Sequence, residues 1–357
     1  MKPSEDAFFR LLRVCVGTST EGVGDISPAL WNEIYEMARQ QSLLGIVFYG
    51  LQKSASNSIE KSLLLQWFAV NEQIRQRNAV MYRQSARVSE RLLQDGFRSC
   101  ILKGQGNAMM YPDPYIRMSG DIDVWVKGSR DDIMAYARKY APHAEARCYH
   151  VDFPVIKDVP IELHFVPSVA NNWMYRRRMN RYFERMQDLQ CSNLVELPDG
   201  LGRIPMPTRE FNIVYQLSHI MHHFFDEGIG LRQMMDYYYL VKSAPNSKMS
   251  GELDETLRYL GLRKFAGAVM YILKEVFGME EKCLIVPADE WRGRTLLEEI
   301  LQGGNFGQHS GLTQHGMAAK YFLKIKRNMR FVRQYPAEAL CEPVFRTWHF
   351  FWRMRNR

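Results

Sequence analysis

Residues 99–126 constrain the fold of this chain most strongly, because they combine an apolar strand pattern, a glycine turn and a pair of aspartates. The segment reads SCILKGQGNAMMYPDPYIRMSGDIDVWV, and a second apolar stretch, VPIELHFV, follows at 159–166. Side chains two positions apart in a strand point to the same face, so Asp121 and Asp123 are expected to project together. Two carboxylates on one face repel each other unless a cation lies between them. The pattern therefore predicts a cation site at the start of this strand.

A third acid, Glu162, lies inside the later apolar stretch. Acids flanked by apolar residues in mid-strand are costly unless they are paired or bound to a metal. Hard divalent cations such as Mg²⁺ take oxygen ligands, typically one or two carboxylates together with phosphate oxygens. An Asp-x-Asp pair alone can arise by chance, but its combination with the Leu-Lys-Gly turn and Glu162 favours metal-assisted phosphoryl-group chemistry.

At these residues the chain resembles the nucleotidyltransferase superfamily typified by DNA polymerase beta, and most closely a bacterial family of uncharacterised nucleotidyltransferases. The superfamily pattern is an apolar strand with a glycine turn, a strand in which hydrophobic residues flank two aspartates, and an acid on a neighbouring strand. The matching pieces are Ile-Leu-Lys-Gly at 101–104, Gly-Asp-Ile-Asp-Val at 120–124 and Ile-Glu-Leu at 161–163. The usual Gly-Ser after the first strand is Gly104-Gln105 here.

The resemblance implies a metal-dependent enzyme that moves a nucleoside monophosphate from an NTP such as ATP to a hydroxyl acceptor and releases pyrophosphate. It implies that Asp121 and Asp123 bind two ions, Mg²⁺ or Mn²⁺, and that Glu162 is the third catalytic and metal-binding acid. The acceptor stays open among a small molecule, a protein hydroxyl and a tRNA end.

Four residues are candidates for nucleotide binding. Lys103 could offer its ammonium group to the triphosphate, and the backbone N–H groups around Gly104 and Gln105 could cradle it. The alternative is a plain strand-to-helix turn. Arg117 is expected either to neutralise phosphate or to hold Asp121, with an ordinary surface salt bridge as the competing interpretation.

Three histidines could support the site. His164 lies two residues after Glu162 and so on the same strand face, where it could orient Glu162 or simply be a buried histidine near the core. His219 and His223 stand four residues apart on a predicted helix, a spacing that suits zinc. The metalloprotease signature also needs a Glu after the first of these histidines, and Ile220 stands there instead.

Charged residues of the following helices form a further group. Asp226, Arg232 and Asp236 resemble the family's helical portion, which could close over the nucleotide or the acceptor. A structural hydrogen-bond network between two helices is the favoured interpretation.

The secondary-structure pattern predicts an α+β fold in which a small mixed-sheet nucleotidyltransferase core is flanked by two helical regions. The three parts are 1–96, 97–206 and 207–357. Strands are predicted near 98–102, 121–126, 145–151, 153–157, 160–166 and 194–197, with helices near 105–110, 129–140 and 172–188.

Several signals set the boundaries of these parts. A long amphipathic helix is predicted over 59–94, ended by Asp95-Gly96. Asp158 is expected in a hairpin turn, and Thr208 is expected to cap the first helix of the last region. The glycine-rich stretch 303–307 is predicted to be a mobile connector.

The net charge of +8 is unevenly distributed. Five arginines lie within 173–185 and ten lysines or arginines within 320–357, which could attract nucleic acid or an anionic membrane surface. A solvated basic face is the alternative. The aromatic residues of the last segment are predicted to be core, since helical spacing usually buries them: Phe331, Phe345, Trp348, Phe350, Phe351 and Trp352.

Other classes of protein are disfavoured. Arg10 and Arg13 interrupt any signal-peptide pattern, and the apolar run at 43–51 is far shorter than the ~20 residues of a membrane span. The six cysteines show no paired spacing, which is typical of reduced thiols in the cytoplasm. We therefore expect a cytoplasmic protein without integral membrane association.

Two other functions stay open. The first is a catalytically inactive nucleotide- or RNA-binding regulatory module on the same fold, because folds outlast their chemistry. The second is a helical RNA-binding protein in which the aspartate pair is structural. That hypothesis predicts that the arginines between 176 and 185 govern affinity.

Overall fold

The computed structural model describes residues 2–19, 23, 26–54, 58–243, 251–305 and 317–356. Four helices precede the sheet in the described part of the chain, and the first two begin with Pro, which suits a helix start because no N–H partner is needed there. Gly17, with φ 75°, ends the first of them. Their bounds are α1 Pro3–Val16, α2 Pro28–Gln40, α3 Leu44–Lys53 and α4 Lys61–Gln94.

Strands and helices alternate in the middle of the chain. These elements are β1 Ser99–Ile101, α5 Gly104–Ala108, β2 Ile122–Val126, α6 Arg130–Tyr140, β3 His150–Asp152, β4 Ile161–His164, α7 Trp173–Gln190, β5 Leu194–Glu196 and β6 Arg203–Pro205. The remaining described elements are helical apart from connections: α8 Arg209–Asp226, α9 Leu231–Lys242, α10 Gly251–Tyr259, α11 Arg263–Glu275, α12 Glu290–Gly303, α13 Met317–Met329 and α14 Pro336–Arg355.

A four-stranded mixed sheet holds the centre of the molecule, with strand order β1-β2-β4-β3. The two central strands, β2 and β4, are parallel, and each outer strand is antiparallel to its neighbour. In the parallel pair Asp123 is in register with Glu162. Two of the predicted acids therefore lie side by side at the middle of the sheet.

The two faces of this sheet differ sharply in polarity. One face presents side chains such as Ile101, Val124 and Leu163, which pack with α4 and α6 in a hydrophobic cluster. The other face carries the acids and also Trp125, whose ring stacks on Phe211 of α8 with centroids 5.6 Å apart. Helices thus cover both sides of the sheet, and the acids share their face with an aromatic contact.

The helices before and after the sheet share one hydrophobic core, which runs from Ala7 to Ala339. A buried side chain ties them together: Gln41 donates to the carbonyl of Ile300 at 3.0 Å and accepts from the N–H of Leu231 at 2.8 Å. The expected α+β fold, a small mixed sheet between two helical regions, is confirmed.

Most predicted strands and helices are present with small boundary shifts, but the strand predicted at 153–157 is wrong. Phe153 still donates to the carbonyl of Ile161. Pro154 has no N–H for the ladder, and the chain then turns back, with Asp158 at φ 61°. Asp158 is in a turn as expected. The strand predicted at 145–151 contracts to β3, with a single bridge at Ala146.

Helix boundaries follow the sequence signals closely. The helix predicted over 59–94 is α4, and Gly96 follows it with φ 89°. Thr208 stands at the start of α8 but makes no side-chain capping bond; its N–H donates to Gln190 instead. Gly303 ends α12, and residues 306 and 307 of the predicted connector lie outside the described residues.

The prediction of a buried aromatic C-terminal segment is only partly right. Phe331 and Phe345 are buried, but Trp348, Phe350 and Phe351 are 45%, 57% and 63% exposed. Only one side of α14 packs on the protein, so aromatic residues on its other sides face solvent. None of the helices in the described ranges is both long and apolar enough to cross a membrane.

Candidate metal and nucleotide site

Three carboxylates converge on one face of the sheet. Asp121 immediately precedes β2, Asp123 lies in β2, and Glu162 lies in the neighbouring β4. Each offers one oxygen, and these oxygens all lie within 4.8 Å of one another. Asp123 is buried, while the other two are half-buried. We call these three residues the carboxylate cluster.

Lys103 faces the cluster from the end of β1. Its backbone has φ 30° and ψ −136°, a conformation that residues other than glycine rarely adopt. The Nζ atom lies 3.1 Å from Asp123 Oδ1 and 3.0 Å from His219 Nε2. Burial lowers the pKa of Lys103, but the charges of Asp123, Asp121 and Glu162 outweigh it, so the pKa is raised. The ammonium group is therefore charged, and it donates to the imidazole of His219.

The first two acids differ in their electrostatic surroundings. Burial raises the pKa of Asp121, and the charge of Asp123 raises it further. Burial also acts to raise the pKa of Asp123, but Lys103 and a hydrogen bond from His164 outweigh it and lower the pKa. Asp121 is therefore the acid of this pair that takes up a proton more readily.

Two histidines flank Glu162. His164 Nε2 lies 2.9 Å from Asp123 Oδ1 and 3.2 Å from Glu162 Oε2. From the edge strand β3, His150 Nδ1 lies 3.0 Å from the same Glu162 oxygen. Burial would raise the pKa of Glu162, yet the two imidazoles hold it well below its ordinary range.

The two imidazoles have opposite charge preferences. Burial lowers the pKa of His150 to about 4. Burial also acts on His164, but its contacts with Asp123 and Glu162 raise that pKa to about 9. At neutral pH the imidazole of His150 is therefore neutral. The imidazole of His164 is positively charged, with a proton on both nitrogens, unless a bound cation displaces one of them.

The cluster fits a hard divalent cation. Its donors are carboxylate oxygens, the ligand type that Mg²⁺ and Mn²⁺ accept in proteins. Asp123 Oδ2 is buried and has no hydrogen-bond partner among the described residues. A buried carboxylate oxygen without a partner is costly, and coordination to a cation would remove that cost.

The turn after β1 lies beside Asp121. A Cβ atom added at Gly104, which has φ 49°, would be 3.5 Å from the Asp121 carbonyl oxygen. Gln105 points elsewhere: it is buried, and its Nε2 donates to Asn78 Oδ1 on α4 at 3.1 Å. The structure thus brings Lys103 and Gly104 to the cluster, while the Gln105 side chain is engaged with α4.

Arg117 belongs to a buried network rather than to a surface salt bridge. Its Nε and Nη2 each donate to one oxygen of Asp236 at 2.8 Å, and the hydroxyl of Tyr111 donates to Asp236 Oδ1 at 2.8 Å. All three residues are buried. We call them the Arg117 network. Arg232 reaches the same segment, donating to the Met118 carbonyl at 2.9 Å. These contacts hold the chain that leads into β2.

The two histidines of α8 that were predicted to support the site, His219 and His223, have different contacts. His219 contacts Lys103, and burial together with the Lys103 charge holds its pKa well below the ordinary value. His223 lies next to it, with ring centroids 4.3 Å apart, and its Nδ1 is 3.7 Å from Glu227 Oε2. His219 is therefore linked to the carboxylate cluster through Lys103.

Sequence reasoning missed two residues of this site. His150 lies within a predicted strand, and pairing that strand with the one carrying His164 would have placed the two histidines opposite each other. Asn78 of α4 donates to the carbonyls of Tyr115 and Arg117, each at 2.7 Å. A polar residue on the apolar stripe of a long helix was the available signal.

Comparisons with known proteins cover part of the chain. No curated protein sequence matches it significantly. One similar solved structure is an antigenic nucleotidyltransferase-like protein from Paracoccidioides brasiliensis, with 12% identity and a TM-score of 0.34 over 60% of this chain and 96% of that one. The sequence model of a family described as uncharacterised nucleotidyltransferases matches residues 27–278, a range that includes the carboxylate cluster, Lys103 and the Arg117 network. This chain belongs to that uncharacterised nucleotidyltransferase family.

Proposed function

We propose that this protein is a metal-dependent nucleotidyltransferase that moves a nucleoside monophosphate from an NTP to a hydroxyl acceptor and releases pyrophosphate. Family membership supports the reaction class. The observation that carries the assignment is the convergence of Asp121, Asp123 and Glu162 within 4.8 Å on one sheet face. Kinship with the DNA polymerase beta superfamily and a bacterial origin are part of this proposal.

In this proposal the carboxylate cluster holds Mg²⁺ or Mn²⁺, two ions by resemblance. Bound there, the metal would neutralise phosphate oxygens and lower the pKa of the acceptor hydroxyl. Lys103 supplies a fixed positive charge beside the reacting phosphate, because its ammonium lies 3.1 Å from Asp123. The Arg117 network positions Asp121 by fixing the segment before β2.

The direct test is a thermal-shift titration with each NTP, with Mg²⁺, Mn²⁺ or EDTA. A ligand at 100 times its dissociation constant stabilises the fold by about 2.7 kcal/mol, which a melting curve resolves. We expect a metal-dependent shift in the wild type that Asp121→Asn/Asp123→Asn loses. Asp131→Asn, which changes an exposed acid on α6, is the matched control and should respond like the wild type. The absence of any shift in a well-folded sample would contradict the proposal.

One observation favours the alternative of an inactive regulatory module. Lys103 and protonated His164 both contact Asp123, so two cations already offset part of the cluster's charge. In that case nucleotide would bind equally well to Asp123→Ala and without metal. The same titration therefore separates the two functions, since metal dependence is expected of the transferase alone.

The acceptor is proposed only as a class: a small molecule, a protein hydroxyl or a tRNA. A nucleic-acid partner gains support from α7, where Arg177, Arg181 and Arg185 are exposed and recur every four residues along one side. Replacing the three with alanine should lower both RNA affinity and its salt dependence, whereas unchanged binding would exclude this stripe. A cytoplasmic location and the division at residues 97 and 207 stay proposals.

A further inference from the structure

Beside the carboxylate cluster, the edge of the sheet assembles a different set of ligand atoms. We propose that His150, Glu162 and His164 form a second metal site, one that takes a divalent transition ion such as Zn²⁺ in preference to Mg²⁺. Each residue offers one ligand atom, and the three atoms lie within 4.8 Å of one another. The site shares Glu162 with the carboxylate cluster, but ion binding here does not depend on nucleotide transfer there.

The strand pairing builds this site without any loop. In the antiparallel pair of β3 and β4, His150 lies directly opposite His164, and Asp152 lies opposite Glu162. Residues opposite or two apart on paired strands share one face, so all four side chains project from the same side. Ligands held on paired strands are positioned more rigidly than ligands on loops, which lowers the cost of ordering them around an ion.

The distances between the three ligand atoms are close to those of atoms around a common ion. His150 Nδ1 and His164 Nε2 lie 3.0 Å and 3.2 Å from Glu162 Oε2. Ligands bonded at about 2.0–2.2 Å to one tetrahedral Zn²⁺ are spaced by about 3.3–3.6 Å, so an ion would require these atoms to move apart by only a few tenths of an ångström. Despite its short distance, His150 Nδ1 has no hydrogen-bond partner among the described residues, so the carboxylate oxygen lies off the direction of a ring N–H. A shared ion explains a close approach that is not a hydrogen bond.

Burial makes the arrangement hard to explain without a ligand. His150 and His164 are 3% and 2% exposed, and buried polar atoms are normally hydrogen-bonded. The second nitrogen of His150, Nε2, lies 3.6 Å from Asp152 Oδ1. This separation is longer than a hydrogen bond, and Nε2 has no hydrogen-bond partner among the described residues, so a small shift of Asp152 would be needed to give the carboxylate support that is usual for a metal-bound histidine.

The donor set selects the ion. Imidazole nitrogens suit Zn²⁺ and its transition-metal neighbours, whereas Mg²⁺ prefers oxygen ligands and retains its waters. Two histidines and one glutamate are a known donor set of zinc sites that keep one position open. The competing account is that a proton on His164 alone links Asp123 and Glu162, with no ion present. These accounts differ in whether the protein binds zinc.

The test uses the full chain, stripped with a chelator, dialysed and titrated with Zn²⁺ by calorimetry. We expect one tight Zn²⁺ per chain that millimolar Mg²⁺ does not displace. His150→Gln should weaken that binding by at least about tenfold. His143→Gln, which removes an exposed histidine, and His223→Gln, which disrupts the closely spaced pair of His219 and His223, should both bind zinc like the wild type.

Three results would overturn the site: no zinc binding by the wild type, zinc binding unchanged in His150→Gln, or loss of binding in His223→Gln instead. If His150→Gln does not fold, X-ray absorption of zinc-loaded wild type decides, because two imidazole ligands support the site and a sulfur shell from cysteine rejects it. Asp121→Asn separates this site from the proposed function. It should keep zinc affinity while losing the metal-dependent nucleotide shift.

Discussion

The carboxylate cluster and the Arg117 network are both buried groups of charge, but they are balanced differently. In the Arg117 network both oxygens of Asp236 accept hydrogen bonds, two from Arg117 and one from Tyr111. In the carboxylate cluster three acids converge, and one oxygen of Asp123 has no hydrogen-bond partner among the described residues. Both carboxylate oxygens of Asp236 are thus satisfied within the protein, although Arg117 Nη1 is buried without a hydrogen-bond partner among the described residues, whereas in the carboxylate cluster it is an acid oxygen that is left for a ligand.

Under the proposed function, this difference separates structural charge from functional charge. A buried ion pair whose carboxylate oxygens both accept hydrogen bonds fixes a conformation, and breaking it leaves an uncompensated charge. A buried excess of negative charge instead destabilises the folded protein, and binding sites tolerate this loss of stability because a bound ligand removes it. We therefore expect acids of the two groups to respond in opposite directions when they are neutralised.

The largest effect on stability is expected at Asp236. Asp236→Ala leaves Arg117 buried without its partner and should lower the free energy of unfolding by about 3–5 kcal/mol in urea denaturation. Glu36→Ala removes an exposed ion pair with Arg39 and should change it by less than about 1 kcal/mol. Equal effects of the two changes would show that the Arg117 network is not a structural element.

Glu338 of α14 sharpens the comparison, because this buried acid has backbone rather than cationic hydrogen-bond partners. It accepts the N–H groups of Asn171 at 2.7 Å and Asn172 at 3.4 Å. Burial raises its pKa from 4.5 to about 7, against the effect of those N–H groups. Since the folded pKa is raised, this contribution to stability is complete below pH 4.5 and is lost as pH rises through about 7.

The loss at Glu338 is on the order of 3 kcal/mol between those pH values. Glu338→Gln keeps an acceptor for the N–H of Asn171 but cannot ionise. Melting curves from pH 4.5 to 8 should show a flatter profile for the variant and higher stability than wild type above pH 7. A variant whose profile parallels that of the wild type would mean that Glu338 ionises without strain.

The sequence was sufficient to predict the carboxylate cluster because the alternation of side chains along a strand depends only on neighbouring residues. Asp121 and Asp123 share a face by spacing alone, and apolar neighbours marked Glu162 as an acid that needs a partner. The central sheet and the long helix α4 followed from the same kind of periodicity. These features depend on neighbours along the chain, so one sequence is enough to predict them.

Contacts that depend on the pairing of distant segments could not be predicted from the sequence. The register that sets His150 against His164 is fixed by the turn between β3 and β4, where Pro154 ends the ladder earlier than hydrophobicity indicates. The pairing of Arg117 with Asp236 spans more than a hundred residues. The aromatic residues of α14 had helical spacing, but spacing does not reveal which side of a helix finds a partner.

Neutralising Asp121 is expected to increase stability, whereas removing Asp236 is expected to decrease it. Its pKa is raised by burial and by the charge of Asp123, so its ionised form is a cost at neutral pH. Asp121→Asn should therefore increase the free energy of unfolding by about 1 kcal/mol without metal, while removing the metal-dependent nucleotide shift. Urea denaturation in EDTA measures the first effect, with Asp131→Asn as the control. A variant less stable than the control would place Asp121 with the structural charges.

The smallest effect concerns the backbone that presents Lys103 to the carboxylate cluster. Lys103→Ala and Lys103→Gly both lose the ammonium group. Any difference in the free energy of unfolding between the two variants therefore measures the cost of φ 30° at this position. Such a conformation costs a residue other than glycine about 1–3 kcal/mol, while glycine loses about 0.5–1 kcal/mol more backbone entropy on folding.

Lys103→Gly should therefore be more stable than Lys103→Ala by about 1 kcal/mol, as measured by urea denaturation of both variants. Gly96 provides the reference: it has φ 89°, and an added Cβ would meet nothing within 4 Å, so Gly96→Ala measures the cost of positive φ in open space. Equal stability of the two Lys103 variants would show that the backbone is relaxed there. A higher stability of Lys103→Gly would show that the backbone of Lys103 is strained and that the fold tolerates this strain to hold the ammonium group beside the carboxylate cluster.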